Sequence, residues 1–260
     1  MSSASVPARA DGWLALARGE YSRQPRWTRV LLGVAAFELG YLAAQQLDTY
    51  VFTSLRYLAS ARPVWEVFKG LGYFPLWLYI ALALAVCETL RARRYRWGWL
   101  PQSFRRYGRI LTARRARAVS LKKMRRWLGR DPGKRIAARA VFLISCPFVA
   151  MAVAELLKLV VRRERPQAWL EVMPVFRDWS GAWWQNNDLG MPSSHAATAF
   201  GAAFALVKLY PKGTPVWMAV AVCCALSRVI DQAHTLTDVY AGAVVAWVLV
   251  SWITRRWWAK

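Results

Sequence analysis

The stretch RVLLGVAAFELGYLAAQQL, residues 29–47, decides the fold class. A helix rises 1.5 Å per residue, so about 20 mostly apolar residues cross the roughly 30 Å hydrocarbon core of a bilayer. This stretch is long and apolar enough to do so even with Glu38 inside it. Outward from it, five more segments read the same way, at approximately 72–91, 139–161, 195–211, 214–231 and 238–254. The fourth and fifth of the six are short and are joined by YPKGTP (210–215), whose prolines and glycine read as a tight hairpin. Short spans imply tilt, or shelter inside a bundle. The expectation is an all-α polytopic membrane protein of about six transmembrane helices, one domain over residues 1–260, with a functional bundle formed by the last four.

Composition agrees. With 57% hydrophobic residues and a formal charge of +23, the chain is too apolar for disorder and too apolar for an ordinary soluble surface. The charge is concentrated: residues 91–139 hold 18 Lys and Arg against one acid, Asp131. Short loops rich in Lys and Arg stay cytoplasmic, so the loop of 92–138 orients the whole set. By parity the N-terminal segment 1–28, the Lys208/Lys212 hairpin and the tail with Arg255, Arg256 and Lys260 share its side, and all are basic. The segments 48–71, 162–194 and 232–237 then face outward. The expected location is the cell (inner) membrane, multi-pass, with both termini cytoplasmic and outward-facing chemistry on the periplasmic or exterior side. Residues 1–26 show no apolar run followed by a cleavage site, so no signal peptide is expected.

Within the basic loop, Phe104, Tyr107, Leu111, Leu121, Met124 and Leu128 recur at helical spacings, as in an interfacial helix on anionic lipid. No nucleic-acid-binding motif accompanies the charge, so the bilayer is the expected partner and nucleic acid is not. Cys87, Cys146, Cys223 and Cys224 fall in apolar stretches without metal-ligand spacing, which argues against disulfides and against a structural metal.

The chain has two histidines, His195 and His234, and the orientation places both at outer mouths of spans. Around them stand groups that are costly near a membrane unless paired: Lys158, Arg162, Arg163, Arg165, Arg228 and Asp238. In KLVVRRERP (158–166), seven residues make nearly two helical turns, which would put Lys158 and Arg165 on one face about 10 Å apart. In GMPSSHAATAF (190–200), Ser193 or Ser194 can cap a helix whose free N–H groups and positive dipole end attract an anion, with His195 in the first turn. In SRVIDQAHTLTDVYAG (227–242), His234 and Asp238 are four apart. On a continuous helix that spacing stacks them, lets the carboxylate take the Nδ1 proton, and leaves Nε2 free as a nucleophile. Each stretch also has a plain structural explanation: snorkelling basic residues, a capped helix, a satisfied His–Asp pair.

Taken together, the three stretches resemble, in order and spacing, the K-x6-R-P, P-S-G-H and S-R-x5-H-x3-D signature of the type 2 phosphatidic acid phosphatase superfamily, which includes vanadium haloperoxidases and bacterial acid phosphatases. The likeness covers roughly residues 150–245 and departs at Ser194, where the family usually has glycine. The resemblance implies that His234 is the nucleophile forming a phosphohistidine and that Asp238 orients it. It implies that His195 protonates the leaving oxygen, while Lys158, Arg165, Ser193, Ser194 and Arg228 hold the phosphoryl oxygens. Three cations can neutralise phosphoryl charge without a divalent ion, so neither a metal nor another cofactor is expected.

The expected activity is a metal-independent lipid phosphate phosphatase working at the outer face. Its substrate is a membrane lipid phosphate: undecaprenyl diphosphate, phosphatidylglycerophosphate, phosphatidic acid and lipid A are the candidates the resemblance implies. The alternatives are a phosphotransferase using the same intermediate, and a transporter in which the charges line a transit site. The sequence carries no signal for an oligomeric state. The tryptophans Trp169, Trp179, Trp183 and Trp184 read as an outer aromatic belt, and second as a lid. Glu155 can pair with Lys158 at i, i+3, whereas Glu164, Glu171, Asp178 and Asp188 read as ordinary loop charges.

Overall fold

A computed structural model describes residues 25–55, 57–58, 62–96, 132–166, 174–180 and 184–259. Its helices are α1 (Arg26–Leu55), α2 (Arg62–Gly70), α3 (Phe74–Arg96), α4 (Pro132–Val161), α5 (Ser194–Leu209), α6 (Thr214–Ile230) and α7 (Leu236–Ala259). Extended backbone among the described residues is confined to two isolated antiparallel bridges, Arg163 with Phe176 and Glu164 with Leu189. Two compact units result, one running to Ala44 and the other from Gln45 onward.

All six apolar segments are helical. Four helices, α1, α4, α6 and α7, are long and apolar enough to cross a bilayer. The segment expected at 72–91 meets that standard only together with α2, as a pair bent by 67°. With 16 residues, α5 spans about 24 Å, short of a hydrocarbon core. It survives because it is sheltered: it packs against α4, α6 and α7, and Ala196, Ala197, Ala199, Ala202 and Ala205 are almost wholly buried. Small residues permit this closeness. A methyl group added at Gly201 would stand 3.0 Å from Pro147 Cα of α4, and one at Gly242 of α7 only 2.5 Å from the Ser193 carbonyl.

The segment 48–71, expected as an outer loop, is mostly helical instead, because α1 continues to Leu55 and α2 follows. Val51, Phe52 and Leu55 carry the apolar pattern past the predicted end and pack into the core cluster of Ala154, Ala197, Cys224 and Val239. The outer faces of the helices remain apolar, with Leu82, Leu156, Val160, Val216 and Trp247 all more than half exposed, as lipid-facing surfaces require. The expected interfacial helix at 104–128 lies outside the described residues.

The up-and-down order brings one set of helix ends together. At one end, Glu88 of α3 accepts hydrogen bonds from Arg139 of α4 and the Tyr210 hydroxyl, each at 2.7 Å. Burial and the Glu88 carboxylate push the Tyr210 phenol up to about 12. Lys158 lies nineteen residues further along α4, about 28 Å away, at the opposite end. The arginine-rich segment joins α3 to α4, so it leaves and re-enters the bundle at the Glu88 end.

Replacing Gly242 with alanine forces its methyl against the Ser193 carbonyl and should destabilise the purified protein by about 1–3 kcal/mol, the usual overpacking cost. Gly33→Ala, where nothing lies within 4 Å, should leave the thermal midpoint unchanged or raised. Thermal unfolding in detergent compares the two.

Candidate active site

Four chain segments meet at the Lys158 end. The first leaves α4. The helix stops at Val161 because Arg162 takes a left-handed conformation, φ 55°, after which 163–165 run extended through the two bridges. Arg165 is therefore placed by an extended strand-like turn, not by the helical repeat expected for it with Lys158. Its backbone N–H donates to the Asp188 carbonyl at 2.8 Å, while its side-chain Nε is buried with no hydrogen-bond partner among the described residues. Lys158 donates to Glu155 Oε1 at 2.9 Å and to Ser194 Oγ at 3.3 Å, and Glu155 Oε2 also accepts from Asn186 at 2.6 Å.

The second segment enters α5. Ser193 is the cap, extended at φ −69° and ψ 115°, and its hydroxyl accepts from the Ala196 N–H at 3.5 Å. The unusual Ser194 points its hydroxyl at Lys158 and is nearly buried. His195 follows in the first turn, with Nε2 buried and unpaired among the described residues.

The third leaves α6, where Arg228 donates to Asp231 Oδ2 at 2.8 Å and Asp231 also faces Lys69 of α2 at 3.8 Å. The fourth enters α7, and here the expectation of a continuous helix through His234 and Asp238 is corrected. His234 lies in the turn that precedes α7, and Asp238 is in the first turn of that helix. The Asp238 Oδ2 accepts the Thr235 N–H at 3.0 Å, the reciprocal half of a capping box. His234 Nδ1 is 3.5 Å from the same oxygen, close enough for charge attraction but without a hydrogen bond. Burial holds the His234 imidazole below its ordinary value, the Asp238 carboxylate opposing that effect, so the ring is neutral at pH 7.

These segments bring the predicted residues into one cup. His195, His234, Arg228 and Lys158 lie within mutual electrostatic range, and Arg165 within that of Arg228 and Glu155. Arg162 and Arg163 turn elsewhere. The Arg162 guanidinium stacks 4.8 Å over Trp179 and donates through Nε to the Arg177 carbonyl, bracing the loop. Arg163 donates to Thr237 Oγ1 at 2.6 Å and lies 3.4 Å from Asp238 and 3.8 Å from Asp48. Glu164, expected to be a free loop charge, holds Arg177, whereas Asp188 stays an exposed one 3.6 Å from the same guanidinium. Trp169, Trp183 and Glu171 lie outside the described residues.

Sequence reasoning missed the corner between α2 and α3. A methyl on Gly72 would lie 2.6 Å from the His195 ring, and Tyr73 meets that ring edge-on with centroids 4.9 Å apart. Trp77 Nε1 pins the corner by donating to the Leu71 carbonyl at 2.7 Å. No chemical motif marks these positions; two glycines at a predicted span start were the only signal.

Fold and site together define a multi-pass helical membrane protein with a buried cup of cations and imidazoles at one end of its bundle. Residues 139–260 match the family model described as the PAP2 superfamily. Comparison with curated proteins and with solved structures gave no match. Members of this superfamily are generally phosphatases, and the match together with the long apolar helices points to a membrane phosphatase-type function.

Glu155 keeps a negative charge beside the cup. Glu155→Gln should tighten orthovanadate or inorganic phosphate binding at least several-fold by freeing Lys158, and Lys158→Met should weaken it by a similar factor. Isothermal titration of the purified protein reads both, and equal affinities would remove the anion assignment.

Proposed function

We propose that the protein is a metal-independent phosphatase of membrane lipid phosphates, working at the outer face of the cell membrane through a phosphohistidine on His234. What supports this is that both histidines of the chain come together with Lys158, Arg165 and Arg228 in one cup, at the bundle end remote from the arginine-rich segment. The positive-inside bias then assigns that end to the exterior or periplasm.

In this reading Lys158, Arg165 and Arg228, with the Ser193 and Ser194 hydroxyls and the N-terminus of α5, hold the phosphoryl oxygens. His234 attacks phosphorus through Nε2 while Asp238 stabilises the charge that develops on the ring. The P–O bond to the lipid breaks as the His234–phosphorus bond forms, and His195 delivers a proton to the leaving oxygen. Water, deprotonated by His195, then attacks the phosphohistidine and releases inorganic phosphate. Cations at fixed positions supply the charge neutralisation that phosphoryl transfer needs. Phosphatidic acid, phosphatidylglycerophosphate, undecaprenyl diphosphate and lipid A all present the required group.

The decisive experiment measures phosphate release by purified protein across those lipids with EDTA present. Turnover should survive the chelator and fall by several orders of magnitude in His234→Ala with the thermal midpoint retained. Wild-type rates in that variant would remove the nucleophile, and phosphate release only with an added acceptor lipid would make the protein a transferase. The pH dependence has a fixed sign. A nucleophile must be unprotonated, and burial holds His234 below its ordinary value near 6.5. The acid limb of kcat/KM assigned to His234 should therefore lie below pH 6.5; a limb above it would contradict the site.

A further inference from the structure

Asp48 stands outside the segment that matches the family and reaches the site from α1. It is 3% exposed. Its two oxygens take both polar groups of Thr237: the backbone N–H at 2.9 Å and the hydroxyl at 2.6 Å. Thr237 immediately precedes Asp238, and its hydroxyl also accepts from Arg163. Arg163 in turn lies between two carboxylates, 3.4 Å from Asp238 and 3.8 Å from Asp48.

A buried guanidinium beside a single carboxylate would neutralise it, and a neutralised Asp238 could do little for an imidazole gaining positive charge. Two carboxylates share one guanidinium directly behind His234, so with both ionised the set Asp48, Arg163 and Asp238 has one negative charge in excess. We propose that Asp48 is a positioning residue for His234: by drawing on Arg163 and anchoring Thr237, it leaves negative charge on Asp238 and fixes where that carboxylate stands. This deepens the phosphohistidine reading and rests on it for its catalytic meaning, although the electrostatic effect exists whether or not the protein turns over substrate.

The charged and titratable groups facing His234 are Asp238 from α7, Arg228 from α6, Lys158 from α4 and His195 from α5, with Arg163 and Asp48 behind Asp238. Asp48→Asn keeps the shape and removes one negative charge, so the His234 imidazolium becomes less favourable. In protein labelled at its two histidines, with His195→Gln to assign them, NMR titration in detergent should show His234 losing its proton at a pH lower by about half a unit or more. Should the protein release phosphate from phosphatidic acid in mixed micelles, Asp48→Asn should lower kcat by about tenfold with KM changed less than threefold, because the lost charge acts on the nucleophile. The acid limb should move the same way as the titration.

A titration identical to wild type overturns the proposal. So does a variant that loses thermal stability alone while keeping the wild-type titration and pH profile, since that is a purely structural role. If Asp48→Asn does not accumulate folded, Thr237→Val cuts the hydroxyl link to Asp48 and Arg163 with little change of volume. It must shift the titration, and an unshifted His234 overturns the proposal equally. Failure of the phosphatase reading looks different: no phosphate release by the wild type, with the Asp48→Asn titration shift still present.

Discussion

An ammonium or guanidinium with almost no contact with water must have a counter-charge within reach, and that requirement organises the site end of this bundle. Lys158 is 3% exposed, Arg163 4% and Arg228 6%. Each has its carboxylate: Glu155 for Lys158, Asp48 and Asp238 for Arg163, Asp231 for Arg228. The Lys158 and Arg228 pairs are local, three residues apart in the chain, whereas the Arg163 pairs tie α1, α7 and the extended turn after α4 together. Even so, Arg165 and Arg228 each keep a buried Nε with no hydrogen-bond partner among the described residues. A cup that balances most of its cations internally and leaves guanidinium nitrogens of Arg165 and Arg228 unspent is suited to an anion that comes and goes, since full internal pairing would compete with it and no pairing would not fold.

The same requirement separates arginines that the sequence cannot tell apart. Arg162, Arg163 and Arg165 lie within four residues, and any of them could serve an anion by composition. Backbone geometry sorts them. The left-handed turn at Arg162 ends α4 and starts the bridged run, in which Arg163 enters the Asp48–Asp238 network while Arg165 lies within electrostatic range of Arg228. The seven-residue spacing from Lys158 is real, but its physical basis is a helix end followed by a bridge. A purely helical argument joins the two residues by the wrong geometry.

Much of the fold was legible because apolar length is a strong signal: all six segments are helices, and the hairpin at 210–215 is a short 3-10 turn, Pro211–Gly213, followed by α6. What the sequence hid are long-range choices. Nothing in the run after Leu47 says that Asp48, and not Glu38, is the acid that matters, because that depends on which helix end the first span meets. Local charge separation hid one pairing: a strand-like bridge carries Glu164 to Arg177, while Asp188, its side chain 80% exposed, remains a solvated loop charge 3.6 Å from the same guanidinium. The site motifs were readable since their internal spacings are short, whereas Gly72 and Tyr73 reach His195 across more than 120 residues of chain.

The shortness of α5 joins fold to chemistry. A helix of 16 residues cannot cover a bilayer core and depends on its longer neighbours for shelter. Its alanines and Gly201 let α4 and α7 approach until Ser193 donates its N–H to the Asp238 carbonyl at 2.9 Å. Ser193 and Ser194 are buried there, Ser194 beside Lys158, where water is scarce and a helix N-terminus attracts negative charge most strongly. A full-length span in its place would carry the same residues up to the interface, exposing the cations to solvent that screens them. Small residues along α5 are thus a condition of the site's electrostatics as well as of the packing.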